Sequence, residues 1–549
     1  MVAGIIDEEI VMKKSNLFFL AIFIIAVVFP LLLIWIMAYQ IPFGDTWDDS
    51  IVLYFSYLHH TLTWQYWVHP HNEHRVILTR AITLFKDIFF PTSRYFIQLT
   101  SYFLFLATYF LLVFQFEKAR FKLQYSEKSY RWFYLLTAGI LFFPKDISFW
   151  RWGFIIQFPL TVFFVTATIF CLSQKNITWL RYGCAILLSL LATASSANGL
   201  MIWPIGFLLL ILCRSSIMKM AAYVIIGLII IYFYSHDNHL QGFIINEPIK
   251  SFLYFTDFLG NWSTALLASV IGCAVLVLFF NGIKLFFNRY HVEKITIFYP
   301  WLALGLFAIA NGFVAALTRI QFGVGQSLSI RYAAISLMLC ASLTGFYALQ
   351  WSRLSDRYKK ILKFFVFLFI VFFVGSYHRV FFQLTKNYRF IAQEIALPYG
   401  VLLPTDNGSY SAGNDKIADR LLLYRQSALY TLSNPEPHYL NQTLSETMIK
   451  KIGVTVDPKN YSITIGKRSL KNYVGFISGV AVSGSIHAKN NHANLSASLL
   501  LLNADHKIIG IAFIAHQQFF GFMVGAQPVN QLIQLKKGYG IRQDRTRTI

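Results

Sequence analysis

The sequence predicts a polytopic α-helical membrane protein of about eleven transmembrane helices, followed by a small β-rich domain. Three observations carry that prediction. Of the 549 residues, 56% are apolar and only 13% are charged, and the mean hydropathy is +0.54; a soluble chain of this length would expose more charge. Apolar runs of about 17–25 residues recur through the first two thirds, which is the length that crosses a hydrocarbon core. Beyond about Tyr461 the pattern changes to short runs separated by Gly, Asn and Asp, as strands joined by hairpins require.

The first helix is predicted over Leu17–Ala38. No small-residue cleavage site follows it, so it reads as a retained helix rather than a removed signal peptide. A polar, aromatic loop over Tyr39–Pro91 comes next, with an amphipathic stretch from Arg75 to Phe90. Helices follow at Tyr95–Phe116, Trp132–Phe143 and onward from Gly153 to about Ser173. The apolar stretch after Arg181 is too long for one crossing, so the break at Ser195–Gly199 divides it into helices five and six. Helix seven is predicted at Lys219–Tyr234 and a polar loop at Ser235–Asn261. Helices eight to eleven follow at Trp262–Phe280, Ile297–Leu317, Tyr332–Gln350 and Ile361–Tyr377. Strands are predicted at Tyr473–Ser483, Ala493–Leu502 and Lys507–Ala515. Two domains result: residues 1–377 in the membrane, and residues 378–549 as a helical linker plus the β-rich domain.

The net charge of +22 would suggest nucleic acid in a soluble protein. Here much of it lies in short loops, where Lys and Arg orient helices and meet anionic headgroups, so the lipid bilayer is the expected partner and nucleic acid is not. With Lys13 and Lys14 in the cytoplasm, the loops after even-numbered helices are cytoplasmic and hold most short-loop cations. The loops after odd-numbered helices then face outward, and an odd helix count puts the C-terminal domain outside as well. The five cysteines, Cys171, Cys184, Cys213, Cys273 and Cys340, lie in or at the ends of apolar runs. Their spacing implies neither a disulfide framework nor a metal site.

Every unusual polar cluster falls on the predicted outer side. Asp45, Asp48 and Asp49 occupy five positions just past helix one. Carboxylates so close repel, so one should hold its proton more tightly unless a cation joins them. The first outcome gives a base for a hydroxyl acceptor; the second, with Asp45 and Asp48 as ligands, gives a divalent-cation site. The alternative is a solvated turn in which Asp caps a short helix. His71, Glu73, His74 and Arg75 open the amphipathic stretch. The histidines are spaced to share a helical face, though not as in the metalloprotease helix. Arg75 and Arg80 suit a phosphate or diphosphate, with interfacial anchoring as the alternative. Lys145-Asp146 and Arg151-Trp152-Gly153 fill the second outer loop, and Arg151 is the better phosphate candidate. Gln157 and the small residues at Ser195–Gly199 read as packing features. Arg319, Gly323, Gly325, Arg331 and Tyr332 lie between helices nine and ten, where glycines beside arginine let backbone N–H groups approach an anion.

These motifs resemble a known group. Gly-Asp-x-Trp-Asp at Gly44–Asp48, His-Asn-Glu-His-Arg at His71–Arg75, Trp-x-Trp-Gly-Phe at Trp150–Phe154 and Arg-Tyr at Arg331–Tyr332 are similar to those of bacterial membrane proteins of the GT-C type. GT-C proteins are integral-membrane glycosyltransferases, and the likeness spans about Leu17–Tyr377. The resemblance implies transfer of a sugar, with inversion, from a polyprenyl-phosphate-type donor to an envelope glycan, lipid or protein. It implies Asp45 as general base, with Asp48 or Asp49 orienting the acceptor or a divalent cation. It also implies that outer-loop basic residues hold the carrier phosphate. The expected location is the bacterial cytoplasmic membrane, with the site facing the periplasm or exterior. A transporter or flippase of lipid-linked glycans, and a non-catalytic envelope scaffold, are the competing expectations.

Overall fold

A computed structural model describes residues 23–36, 44–46, 49–72, 74–91, 93, 95–123, 131–236, 247–287 and 296–385. In the C-terminal third it describes 443, 445, 447, 453–455, 461–469, 479–488, 498–515, 518–524, 529 and 531–535. In chain order the helices are α1 (Phe23–Ile36), α2 (Ser50–Leu58), α3 (Trp64–Val68), α4 (Ile77–Phe89), α5 (Phe96–Leu123) and α6 (Arg131–Leu141). Then come α7 (Ile147–Arg151), α8 (Gln157–Leu172), α9 (Trp179–Ser195), α10 (Ile202–Leu212) and α11 (Ile217–His236). The last are α12 (Pro248–Leu259), α13 (Ala268–Phe287), α14 (Tyr299–Arg319), α15 (Ile330–Ala348) and α16 (Asp356–Thr385).

Among the described residues, seven helices are long and apolar enough to cross a membrane: α5, α8 together with the 3-10 turn that leads into it from Gly153, α11, α13, α14, α15 and α16. Shorter apolar helices lie at Phe23–Ile36, Trp132–Leu141, Trp179–Ser195 and Ala197–Leu212. Together they fall on the apolar runs of the sequence. The chain is an integral membrane protein, mostly helical, with a C-terminal sheet. Lipid-length helices with exposed apolar faces, such as Ile225, Leu228 and Ile229 on α11, fit a hydrocarbon solvent, because it costs nothing to leave such side chains outside.

The described residues form two compact units. Unit one holds Met1–Ile36, Thr63–Ile82 and Tyr95–Val380; unit two holds Met37–Leu62, Thr83–Arg94 and Phe381–Ile549. Inside unit one, small residues let backbones approach. A Cβ on Gly272 of α13 would overlap the carbonyl oxygen of Thr256 on α12, and one on Gly260 would overlap that of Ala268. Gly199 meets the Ala192 carbonyl in the same way, at the break between α9 and α10. The expected break therefore forms, as a 3-10 turn over Ala197–Met201, and close packing sets its composition.

Four expectations are corrected. The loop at Ser235–Asn261 contains α12, which starts at Pro248 in its first turn and buries Tyr254, Thr256, Asp257 and Phe258 while exposing Phe252. The eighth apolar helix consequently begins at Ala268, not Trp262. The second extends to Leu123, because Arg120 pairs with Glu117 one turn back at 2.7 Å and basic residues suit a helix C-terminus. His71 and His74 share no helical face; they exchange backbone hydrogen bonds of 2.7 and 3.0 Å across a tight turn. Asn72 makes that turn with φ of +53°, a conformation asparagine tolerates better than most residues.

Among the described residues of unit two the sheet has seven strands, β1 (Gly453–Thr455), β2 (Tyr461–Ser469), β3 (Gly479–Ala488), β4 (Ser498–Leu502), β5 (Ile508–Ala515), β6 (Gln518–Val524) and β7 (Gln531–Leu535). Their order is β1-β7-β4-β5-β6-β3-β2, with every pairing antiparallel. Leu499, Leu500, Leu501 and Leu502 are all buried, so the central β4 is covered on both faces.

Gly272→Ala should lower stability by about 1–3 kcal/mol, because α12 and α13 must separate. Gly183→Ala, where the added methyl meets nothing within 4 Å, should shift it by less than about 0.5 kcal/mol. Thermal unfolding of both variants in detergent measures the contrast.

Candidate functional site

In unit one, the stretch from α3 to α4 is tied down by two arginines. The Nη1 of Arg80 donates to the carbonyls of Tyr66 (3.0 Å), Trp67 (3.0 Å) and His69 (2.6 Å). These are the last acceptors of α3, so the guanidinium acts as its C-cap. Arg75 Nη1 donates to Val68 O at 2.5 Å, and its guanidinium stacks 4.7 Å from the Phe233 ring. The Arg75 backbone N–H donates to the Tyr234 hydroxyl at 2.7 Å. Both arginines are buried. The sequence suggested phosphate forks here; the structure gives both side chains duties in holding the chain path.

The same stretch gathers two other singled-out motifs. His74 Nδ1 accepts from the Ala197 N–H at 3.1 Å, which joins the His71–Arg75 turn to the break between α9 and α10. The His71 ring lies 4.9 Å from that of Phe154, which joins it to the Trp150–Phe154 motif. Thr161 and Ser196 meet hydroxyl to hydroxyl at 2.9 Å, joining α8 to the same break between α9 and α10. Arg151 is buried, and its carbonyl accepts from Gln98 Nε2 at 3.1 Å.

A second cluster forms around the segment between α14 and α15, which folds as two 3-10 turns, Ile320–Phe322 and Val324–Leu328. Gly323 separates them with φ of +87°, which favours glycine. Three side chains pin the segment. Lys145 Nζ donates to Leu328 O at 2.9 Å, Asn261 Nδ2 donates to Ser329 O at 2.9 Å, and the Tyr254 hydroxyl lies 3.5 Å from Gln326 Oε1. The buried ring of Tyr332 then takes a guanidinium from each end, Arg319 at 5.9 Å and Arg331 at 5.4 Å, with Phe258 at 5.1 Å. Aromatic faces stabilise cations removed from water.

Among the described residues of unit one, the buried charged side chains are Arg75, Arg80, Lys145, Arg151 and Arg319 against a single carboxylate, Asp257. Asp257 accepts from the Ser269 hydroxyl at 2.5 Å. Burial is costly for each cation, and for Lys145 the effect is large. Desolvation first, and the neighbouring charge of Arg379 second, bring its ammonium down to about 7, with Asp146 opposing them. An interior so rich in cations and donors is suited to holding an anion.

Unit two carries the acids. Asp45 lies in the 3-10 turn Gly44–Thr46 and is half-buried, and Asp49 is buried at the start of α2. The Asp49 N–H donates to Asp45 O at 3.0 Å, and Leu53 N–H donates to Asp49 O at 2.9 Å. Asp49 makes no side-chain cap, so capping does not account for its carboxylate. Asp48 and Glu73 lie outside the described residues. Asp87 of α4 is a buried acid that sequence reasoning passed over. Burial raises the pKa of its carboxyl, opposed by the Lys86 ammonium at 2.9 Å; on α2, burial first and the Asp87 charge second raise that of Tyr54. Among the described residues no three of His, Cys, Asp and Glu gather as metal ligands.

Lys145, Asn261 and Tyr254 are the other residues missed. Lys145 stood in a singled-out dipeptide without a role, and its position directly after Pro144 at a helix end was the available signal. Asn261 and Tyr254 gave none, since α12 itself was read as a loop. Comparison with family models, with curated proteins and with solved structures finds no match to this chain.

Arg80→Lys should destabilise the protein by about 1.5–3 kcal/mol, because one ammonium does not reproduce the planar donor set at three carbonyls. Thermal unfolding measures it, and an unchanged midpoint would contradict the capping role.

Proposed function

We propose that this protein is a membrane glycosyltransferase of GT-C type, moving a sugar from a polyprenyl-phosphate-type donor to an envelope glycan, lipid or protein. The observation that carries the reading is the gathering of cations in the helical unit at the ends of apolar helices. Lys145 and Arg151 precede α8, Arg319 ends α14 and Arg331 opens α15. A lipid-carried phosphate presents this combination: an apolar chain that needs lipid, and an anionic head that needs cations where the lipid ends. The sequence motifs of Gly44–Asp48, His71–Arg75 and Trp150–Phe154 support the same reading.

In this reading the membrane domain has eleven transmembrane helices with the N-terminus inside. The acidic loop, the cation clusters and the C-terminal sheet face the periplasm or exterior. Asp45 takes the proton of the acceptor hydroxyl as that oxygen attacks the anomeric carbon, inverting it. Asp48 or Asp49 orients the acceptor, or holds a divalent cation that steadies the departing phosphate. Arg151, Arg319 and Arg331 stabilise charge on the leaving phosphate, and Tyr332 holds the last two in place. His71, Glu73, His74 and Arg75 are the further substrate-binding candidates.

Asp45→Asn should abolish transfer, by about 10²–10⁴-fold or more, while changing stability by less than about 0.5 kcal/mol. Mass spectrometry of envelope glycans from cells carrying each form reads the product directly. Normal product from Asp45→Asn would remove the general-base assignment. Identical glycans with and without the protein would remove the transferase reading.

A further inference from the structure

Lys145 is a buried amine that the proposed chemistry does not use. It is 8% exposed, and among the described residues its Nζ makes one hydrogen bond, to Leu328 O at 2.9 Å. An ammonium has three N–H groups, so two remain for another acceptor. Lys145 is moored to the segment that carries the guanidinium pair. Arg331 is three residues past Leu328, within about 11 Å along the chain. Its Nε is buried with no hydrogen-bond partner, although its guanidinium faces the Tyr332 ring at 5.4 Å. The Lys145 ammonium and the Arg331 Nε thus keep donors unspent where they are shielded from water, which is costly.

We propose that Lys145, moored to the segment flanked by Arg319 and Arg331, binds the phosphate group of the substrate as an anion contact. The naming of the anion rests on the proposed function; the site itself does not. The charged groups acting on Lys145 are Arg379 of α16 and Asp146 beside it. Free, Lys145 sits at about 7 because burial and Arg379 outweigh Asp146. An anion against Nζ favours the charged form and moves the amine back up. Binding above pH about 7 is therefore accompanied by proton uptake. Affinity is greatest below that pH and falls as pH rises through the free-state value, by up to about tenfold per pH unit, until the bound form also titrates.

The test uses the full chain in lipid nanodiscs and two probes of constant charge. One is a polyprenyl methyl phosphodiester and the other is inorganic sulfate, so the pH dependence belongs to the protein. Calorimetry in buffers of different ionisation enthalpy counts the protons taken up. Expected is uptake approaching one proton per anion at about pH 8. Lys145→Arg, which is charged throughout, should bind without uptake and with a flat pH profile. Lys145→Met should weaken binding by about 10–100-fold. Binding of the phosphodiester alone assigns the site to a lipid-carried phosphate, and binding of sulfate equally well assigns it to free anions; either upholds the site. Binding of neither probe, or unchanged uptake in Lys145→Arg, would overturn it. Neither readout needs sugar transfer. Loss of transfer in Asp45→Asn without any Lys145-linked uptake would leave the transferase reading standing and this inference fallen. Uptake without any transferase product would do the reverse.

Discussion

Taking a cation out of water is the constraint on which this molecule turns. In an apolar helical unit each buried guanidinium or ammonium must find carbonyls, aromatic faces or an anion. Arg80 finds three carbonyls at the end of α3. Arg75 finds one carbonyl and the Phe233 face. Arg319 and Arg331 share the Tyr332 ring, and Lys145 holds the Leu328 carbonyl. The cations therefore do not merely decorate the loops. They determine how the loops run, and loops that run that way bring motifs far apart in sequence to one place.

Close helix packing supplies the rigidity that such loops need. Lipid offers helices no hydrophobic reason to associate, so contact depends on backbones coming near. The glycine contacts of α12 with α13, and of the Ala197–Met201 turn with α9, provide it. Each holds a polar stretch: α12 presents Tyr254 and Asn261 follows it, pinning the segment between α14 and α15, while the turn presents the Ala197 N–H to His74. The polar groups are thus positioned by an apolar scaffold whose own geometry is set by its smallest residues.

The apolar helices were legible because hydropathy and length are local properties. The break at Ser195–Gly199 was legible for the same reason, since an overlong run has to bend. Helix α12 was not, because Tyr254, Thr256 and Asp257 point inward and hide its amphipathic pattern. The turn at His71–His74 was not, because it depends on Asn72 taking a left-handed conformation that several sequences permit. Three strands were visible in the alternation of apolar residues, and Gly453–Thr455, Tyr461–Ser469, Gln518–Val524 and Gln531–Leu535 were missed. For the site, charge type and rough location were visible, and the division of labour was not. Arg75 and Arg80 look like free forks in sequence and hold carbonyls in the structure. Lys145 looks like one more loop lysine, and only its tertiary burial sets it apart.

The proposed function requires the acidic loop and the cation-bearing segment each to open to the outer side of the membrane. Cysteine labelling in intact cells tests it most directly, with the five native cysteines replaced and a membrane-impermeant maleimide added from outside. Gly325→Cys occupies a position with nothing within 4 Å of an added Cβ, Thr46→Cys reports the acidic turn, and Ser355→Cys reports the connection between α15 and α16. The account predicts that Gly325→Cys and Thr46→Cys label in intact cells and that Ser355→Cys labels only after permeabilisation. Labelling of Gly325→Cys and Thr46→Cys from opposite sides, or of both only after permeabilisation, would contradict it.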